Sequence, residues 1–154
     1  MNEKIKGNTP EEERIFEERK KHLKNLIGIT DEDFEKYMSF PAHRKMALRR
    51  SEINKYQIIA EVVSAKYCTA GMKVGQKYVF NVIPNKLLIE ESSCPLCLKA
   101  LGPLSEALQI FWDRLIEGVD PNEGSKPFVN CPDQGVEYGG LGSVVFKVYA
   151  RKNV

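Results

Sequence analysis

Four cysteines are the residues of this sequence best suited to chemistry: Cys68, Cys94, Cys97 and Cys131. Cysteine thiolates bind zinc tetrahedrally, and four of them can also hold an iron–sulfur cluster. Strong zinc patterns contain two C-x-x-C pairs, whereas this chain has one such pair, Cys94 and Cys97, and two isolated cysteines. A zinc or iron–sulfur site with all four cysteines as metal ligands therefore requires the fold to bring distant segments of the chain together.

The segment Cys94-Pro95-Leu96-Cys97 is also compatible with a redox dithiol. It precedes a leucine-rich helix, and Pro95 suits the first helical position, so the helix dipole would favour a thiolate at Cys94. Cys94 would then be the catalytic nucleophile and Cys97 the resolving thiol. The four residues resemble the C-P-x-C active site of glutaredoxin-type proteins, although those proteins carry it near the start of a βαβ unit. A third interpretation is that the cysteines fill small apolar spaces and are chemically inert.

Side chains for other common mechanisms are scarce. The chain has two histidines, His22 and His43, and both lie in its charged N-terminal part, so histidine-based acid–base catalysis is not expected. Asp133 and Glu137 lie near Cys131, but acidic residues in turns usually cap backbone N–H groups. The cysteines are therefore the candidate site, and the sequence leaves open whether the protein is an enzyme.

Residues 1–54 are predicted to form a charged helical N-terminal extension. The segment TPEE at residues 9–12 is a capping-box sequence with proline at the first helical position, and Gly28 is placed to end this helix. Thr30 is a second start signal, and Pro41 opens a third helical segment. These helices position apolar side chains on one side and leave charged side chains on the other.

Residues 55–154 are predicted to form an α+β domain. β-Branched and aromatic residues predict strands in YQIIAEVVSAKY, KYVFNVI, KLLIEE and SVVFKVYARK. Gly71 and Gly75 indicate a turn between the first two strands. A helix before the last strand carries an apolar stripe of Leu101, Leu104, Leu108, Phe111 and Leu115. We therefore expect a small mixed or antiparallel sheet that packs on one long amphipathic helix.

Composition restricts the location and the partners. A hydrophobic content of 42% with 29% charged residues is typical of a soluble globular chain. No apolar run approaches the roughly 18 residues of a membrane span, and the charged N terminus lacks the apolar segment of a secretory signal. We therefore expect a cytoplasmic protein that does not bind a membrane.

Protein partners are expected rather than nucleic acid. The net charge is only +2, and the basic segment HRKMALRR is accompanied by acidic residues without interleaved aromatic side chains. Apolar side chains of the N-terminal helices could instead pack on a partner or on a second copy of the chain. These side chains are Phe16, Leu23, Phe34, Tyr37 and Met38.

The stretch from about residue 58 to 152 resembles an uncharacterised family of small prokaryotic proteins that contain cysteines. The shared features are Cys68 with Ala70-Gly71 and Lys73-Val74-Gly75, the helix start Cys94-Pro95, and the turn Cys131-Pro132-Asp133. The chain departs from the family at Met72 and Gln76, where relatives often have histidine and aspartate. A role of that histidine as a ligand or base would be absent here. The resemblance points to Cys68, Cys94 and Cys131 more than to Cys97, and it implies no particular reaction.

Overall fold

The computed structural model of this chain describes residues 7–153. The chain divides into two compact units, Met1–Glu52 and Ile53–Val154. The described residues form four α-helices, namely α1 (Pro10–Ile27), α2 (Asp31–Met38), α3 (Pro41–Ile53) and α4 (Leu98–Glu117). They also form four strands, namely β1 (Tyr56–Lys66), β2 (Lys77–Asn81), β3 (Phe128–Asn130) and β4 (Ser143–Lys152). The predicted α+β class is confirmed, and the sheet is antiparallel throughout.

The predicted starts of the first two helices are confirmed. The Thr9 hydroxyl accepts a hydrogen bond from the Glu12 N–H at 3.2 Å, and the Glu12 carboxylate accepts one from the Asn8 N–H at 2.8 Å. At the start of α2, the Thr30 hydroxyl accepts a hydrogen bond from the Asp33 N–H at 3.1 Å. These acceptors satisfy amide groups that have no partner within the first helical turn.

The N-terminal unit has a hydrophobic core of its own. Its buried side chains come from all three helices: Phe16, Leu23, Phe34, Met38 and Ala47. Tyr37 is half-buried and packs against this core. The side chains that we expected to meet a partner therefore pack on one another. Among the described residues of this unit, the large apolar side chains that remain exposed are Leu26, Ile27 and Phe40. Association of these helices with a protein partner stays a prediction.

The sheet has the strand order β2-β1-β4-β3, with β1 and β4 in its centre. Ala60 of β1 lies opposite Tyr78 of β2 and Val148 of β4, and all three side chains are buried. Val62, two residues further along the same face, lies opposite Phe146. The Tyr78 and Phe146 ring centroids are 5.9 Å apart. The apolar core therefore crosses β1 from one neighbouring strand to the other.

Two parts of the predicted strand pattern differ from the structure. The segment KLLIEE was expected to be a strand, and this is wrong: it forms one isolated bridge, Phe80 with Leu87, and then a short 3-10 turn at Ile89–Glu91. Conversely, the sequence patterns predict no strand at β3, which the structure contains. It is only three residues long and is soon followed by Pro132, so it carries no alternating pattern that a sequence could reveal.

The long helix α4 packs against the sheet and contacts β1 and β3. Leu104, Phe111 and Leu115 of the predicted stripe are buried. Leu101 and Leu108 are half-buried. Among the residues that the structure describes, no helix has the length and apolar character needed to cross a bilayer.

Candidate thiol site

All four cysteines lie near one end of the sheet. Because neighbouring strands are antiparallel, β1 and β3 end where β2 and β4 begin. Cys68 follows β1, and Cys131 directly follows β3. Cys94 and Cys97 belong to the segment before α4, which is hydrogen-bonded to the start of β2. We call this part of the molecule the cysteine end of the sheet.

Hydrogen bonds hold the Cys94 segment against the start of β2. The N–H groups of Ser93 and Cys94 donate to the Lys77 carbonyl at 2.8 and 3.2 Å. In return, the Lys77 N–H donates to the Ser93 hydroxyl at 3.0 Å. The Val79 N–H donates to the Ser92 hydroxyl at 3.0 Å. The two serines thus supply acceptors that a further strand would otherwise provide at this sheet edge, and they place Cys94 beside the first residue of β2.

Tyr78 fixes the next part of the same segment. Its side chain is only 1% exposed. The hydroxyl donates a hydrogen bond to the Pro95 carbonyl at 2.6 Å and accepts one from the Cys97 N–H at 3.3 Å. Since Cys97 is the N-cap residue of α4, a single phenol joins the second residue of β2 to the start of the helix.

Cys68 is positioned by a turn and by the close approach of the chain before β4. The Gly71 N–H donates to the Cys68 carbonyl at 3.0 Å, and the φ angle of Gly71 is +78°, a region that favours glycine. The backbone of Gly142 lies close to Tyr67, the residue before Cys68: a Cβ at Gly142 would lie 2.6 Å from the Tyr67 carbonyl oxygen. Only glycine fits there without a shift of the backbone.

Tyr78 and Cys94 are each influenced by neighbouring thiols. Burial raises the pKa of Tyr78 to about 12, and the thiols of Cys94, Cys97 and Cys68 contribute to this rise. Burial likewise raises the pKa of Cys94 to about 11, with a further contribution from Cys68. Since electrostatic interactions weaken with distance, these effects mean that the fold brings Cys68 close to the Cys94–Cys97 pair.

Cys131 lies at the same end of the sheet but farther along it. Its N–H donates to the Val144 carbonyl at 2.8 Å, which extends the pairing of β3 with β4 by one residue. Because β4 lies between β3 and β1, Cys131 is two strand spacings, roughly 10 Å, from the end of β1. We therefore treat Cys68, Cys94 and Cys97 as the thiol group and Cys131 as its neighbour.

Asp133 caps the loop that leads from Cys131 to β4. Its carboxylate accepts hydrogen bonds from the Gly135 N–H at 3.0 Å and from the Leu141 N–H at 2.9 Å. These two bonds hold the pKa of Asp133 below its usual value. The expected capping role is confirmed, because the carboxylate serves the backbone of its own loop.

The start of α4 differs from the one expected for a redox dithiol. We expected Pro95 to be the first residue of the helix, and this is wrong, because α4 begins at Leu98. The Pro95 carbonyl is instead bound to the Tyr78 hydroxyl. Cys94 therefore lies a full turn before the helix, and the helix dipole acts mainly within the terminal turn itself. The pKa of Cys94 is raised, whereas a nucleophilic cysteine needs a lowered one.

The four cysteines are free thiols. Within residues 7–153, no three His, Cys, Asp or Glu side chains are arranged as a group that could hold a metal ion. The chemistry of the thiol group suits zinc or an iron–sulfur cluster. Ligation by Cys68, Cys94, Cys97 and Cys131 stays a prediction.

The residues that build this site were only partly visible in the sequence. We identified the cysteines by their type, but not Tyr78, Ser92 or Ser93, which hold them. A signal for Tyr78 existed: it alternates with Phe80 on one face of a short apolar strand, where a buried hydroxyl must find a partner. The serines gave no such signal, because their role depends on a sheet edge formed by residues distant in sequence.

Comparison of the chain with protein-family models, with curated proteins and with solved structures finds no match. The resemblance of residues 58–152 to a family of small prokaryotic proteins therefore stays a prediction.

Proposed function

We propose that this chain is a non-catalytic binding module that takes up zinc through Cys68, Cys94 and Cys97, with Cys131 as the candidate fourth ligand. The proposal is supported by one observation: Cys68 influences both Tyr78 and Cys94, which indicates that it lies near the Cys94–Cys97 pair. Zinc in structural sites prefers thiolate ligands, and four of them complete its coordination. Binding of zinc by the folded chain would add directly to its stability.

Zinc binding requires a local rearrangement of the thiols. Cys68 and Cys94 lie outside the helices and strands, so new side-chain rotamers and small loop shifts are available to them. The sulfur atoms must reach about 2.3 Å from one ion. Cys131 has the longest distance to move, which makes it the ligand whose participation most needs a separate test.

The protonation of Cys94 favours binding over catalysis. With a pKa of about 11, this thiol is protonated at neutral pH and is a poor nucleophile. A zinc ion beside it would stabilise the thiolate, because a coordinating thiol is deprotonated outright. Metal uptake should therefore release protons, whereas a redox enzyme would need the thiolate before any partner arrives.

Titration of the reduced full-length chain with zinc, and with cobalt as a coloured substitute, tests this function. We expect saturable binding, strong thiolate-to-cobalt absorption, proton release, and a rise in melting temperature that a chelator reverses. Cys68→Ser, Cys94→Ser and Cys97→Ser should each weaken zinc binding by more than about tenfold, because the loss of even an outer-shell partner costs that much. Cys131→Ser shows whether Cys131 is a ligand.

Two results would contradict a zinc module. The first is a melting temperature that neither zinc nor a chelator changes, together with no cobalt absorption. The second is visible absorption by freshly purified protein that contains iron and sulfide, which would assign the thiols to an iron–sulfur cluster instead.

A further inference from the structure

A cavity of about 320 Å³ lies between α1 and α3 within the N-terminal unit. Its volume falls in the range of small-molecule sites in proteins, about 300–1,000 Å³. The residues that each helix contributes follow one another at helical spacing and therefore share one face of that helix. From α1 they include Glu12 and Phe16, and from α3 they are Pro41, Arg44, Lys45 and Leu48.

The deep side of the cavity is apolar. Phe16 is buried in the core of this unit, and Leu48 is half-buried and packs against the same core. Pro41 and Lys45 are exposed, so the cavity opens to solvent beside them. An apolar group that entered the cavity as far as Phe16 and Leu48 would therefore be removed from water, which favours its binding.

Arg44 contributes a guanidinium that is already oriented. Its Nη1 donates to the Met38 carbonyl at 3.0 Å and to the Ser39 carbonyl at 3.4 Å. Within residues 7–153, the hydrogen bonds of this guanidinium involve Nη1, so its Nε and Nη2 donors can serve a ligand. These two nitrogens present parallel N–H groups that match the two oxygens of one carboxylate.

The charges around the cavity favour a ligand with one negative charge. Arg44 and Lys45 contribute two positive charges, and Glu12 contributes one negative charge. The Glu12 carboxylate accepts a hydrogen bond from the Asn8 N–H at 2.8 Å and so belongs to the cap of α1. The first turn of α3 contains no acidic residue, unlike the first turns of α1 and α2, so a ligand anion could complement the positive end of its dipole. A phosphate group, with close to two charges, would exceed this balance.

We propose that this cavity binds a small apolar monocarboxylate. The ligand carboxylate accepts hydrogen bonds from Nε and Nη2 of Arg44, and the charge of Lys45 attracts it to the open side of the cavity. The apolar part of the ligand lies against Phe16 and Leu48. The site makes no use of the cysteines and does not depend on the proposed zinc function.

Titration of the full-length chain with 3-phenylpropanoate, followed by calorimetry and by NMR of the backbone amides, tests this site. We expect saturable binding and amide shifts concentrated in α1 and α3. The uncharged analogue 3-phenylpropanamide keeps the ring and the chain, and its Kd should be about tenfold higher or more, because the charged hydrogen bonds are lost. Acetate keeps the charge without the apolar part, and it should also bind about tenfold more weakly or worse.

Substitution of Arg44 tests which residue binds the carboxylate. Arg44→Gln should raise the Kd for 3-phenylpropanoate by about tenfold or more and leave the Kd for the amide nearly unchanged. Arg44→Lys keeps the charge without the paired donors and should raise the Kd by less. Arg14→Gln is the matched control, because it removes an exposed guanidinium of α1 that does not line the cavity, and it should leave the Kd unchanged.

Several outcomes would overturn this proposal. They are an absence of 3-phenylpropanoate binding, equally tight binding of the amide or of acetate, and amide shifts that lie within residues 53–154. Tighter binding of inorganic phosphate than of 3-phenylpropanoate would also overturn it, since the apolar side of the cavity would then have no role. These comparisons use the wild-type chain, so they decide the matter even if Arg44→Gln does not fold. Equal loss of binding in Arg14→Gln and Arg44→Gln would contradict the assigned role of Arg44.

Discussion

The Tyr78 hydroxyl positions the segment that contains Cys94 and Cys97 through two hydrogen bonds. It bonds to the Pro95 carbonyl and to the Cys97 N–H, one on each side of Leu96. The phenol ring lies among buried side chains, including Phe146. Phenylalanine at this position would keep the packing of the ring and remove only the two hydrogen bonds. A single substitution can therefore separate the positioning of the thiols from the stability of the core.

Tyr78→Phe should lower the free energy of unfolding by about 1–3 kcal/mol, because two buried backbone groups lose their partner. It should also raise the rate at which Cys94 and Cys97 are alkylated in the folded protein, since their segment is no longer bound to β2 at this point. Chemical denaturation and mass spectrometry after timed alkylation measure the two effects. Tyr149→Phe is the control, because its hydroxyl donates to Glu61 rather than to the cysteine segment. Equal alkylation rates in Tyr78→Phe and the wild type would show that the phenol does not hold these residues.

At the scale of elements, two N–H groups on the outer edge of β2 donate to serine hydroxyls and not to a further strand. The Ser92 hydroxyl accepts from the Val79 N–H and donates to the Leu88 carbonyl at 2.7 Å. Ser92→Ala should therefore destabilise the chain by about 1–3 kcal/mol, because the Val79 N–H loses its partner. Amide hydrogen exchange should show faster exchange at Val79. Ser105→Ala, at an exposed position of α4, should change neither quantity. Slow exchange of Val79 in Ser92→Ala would mean that another group satisfies its amide.

Elements with a strong local pattern could be predicted, and elements created by tertiary contacts could not. The capped helix α1 and the strand β4 follow from capping residues and from β-branched content in their own segments. KLLIEE has strand-like residues, but its hydrogen bonds to the edge of β2 are too few to make it a strand. The short β3 exists only because β4 is beside it. The cysteine types were visible in the sequence, whereas the nearness of Cys68 to Cys94 depends on the antiparallel pairing of β1 with β2.

At the scale of the whole molecule, the buried thiol of Cys94 links global stability to pH. In the unfolded chain this thiol has its ordinary pKa of 9.0, and in the folded chain its pKa is about 11. Between these values the unfolded chain releases a proton that the folded chain retains. Unfolding is therefore favoured as the pH rises through this window, and the free energy of unfolding should decrease. Well below pH 9 the thiol is protonated in both states and has no effect on stability.

From pH 9 to 10 the effect of this thiol exceeds that of either tyrosine. Burial also raises the pKa values of Tyr78 and Tyr149, but the ordinary pKa of a tyrosine is 10.0, so most of their effect on stability lies at higher pH. Denaturation of the reduced protein at several pH values should show a decrease from pH 9 to 10 in the wild type and a smaller one in Cys94→Ala. Tyr149→Phe should keep this decrease and lose part of the steeper one above pH 10, because its hydroxyl does not hold the cysteine segment. If the free energy of unfolding changes with pH in the same way in the wild type and in Cys94→Ala, the thiol ionises equally in the folded and unfolded states. The claim that burial keeps Cys94 protonated in the absence of a metal would then be wrong.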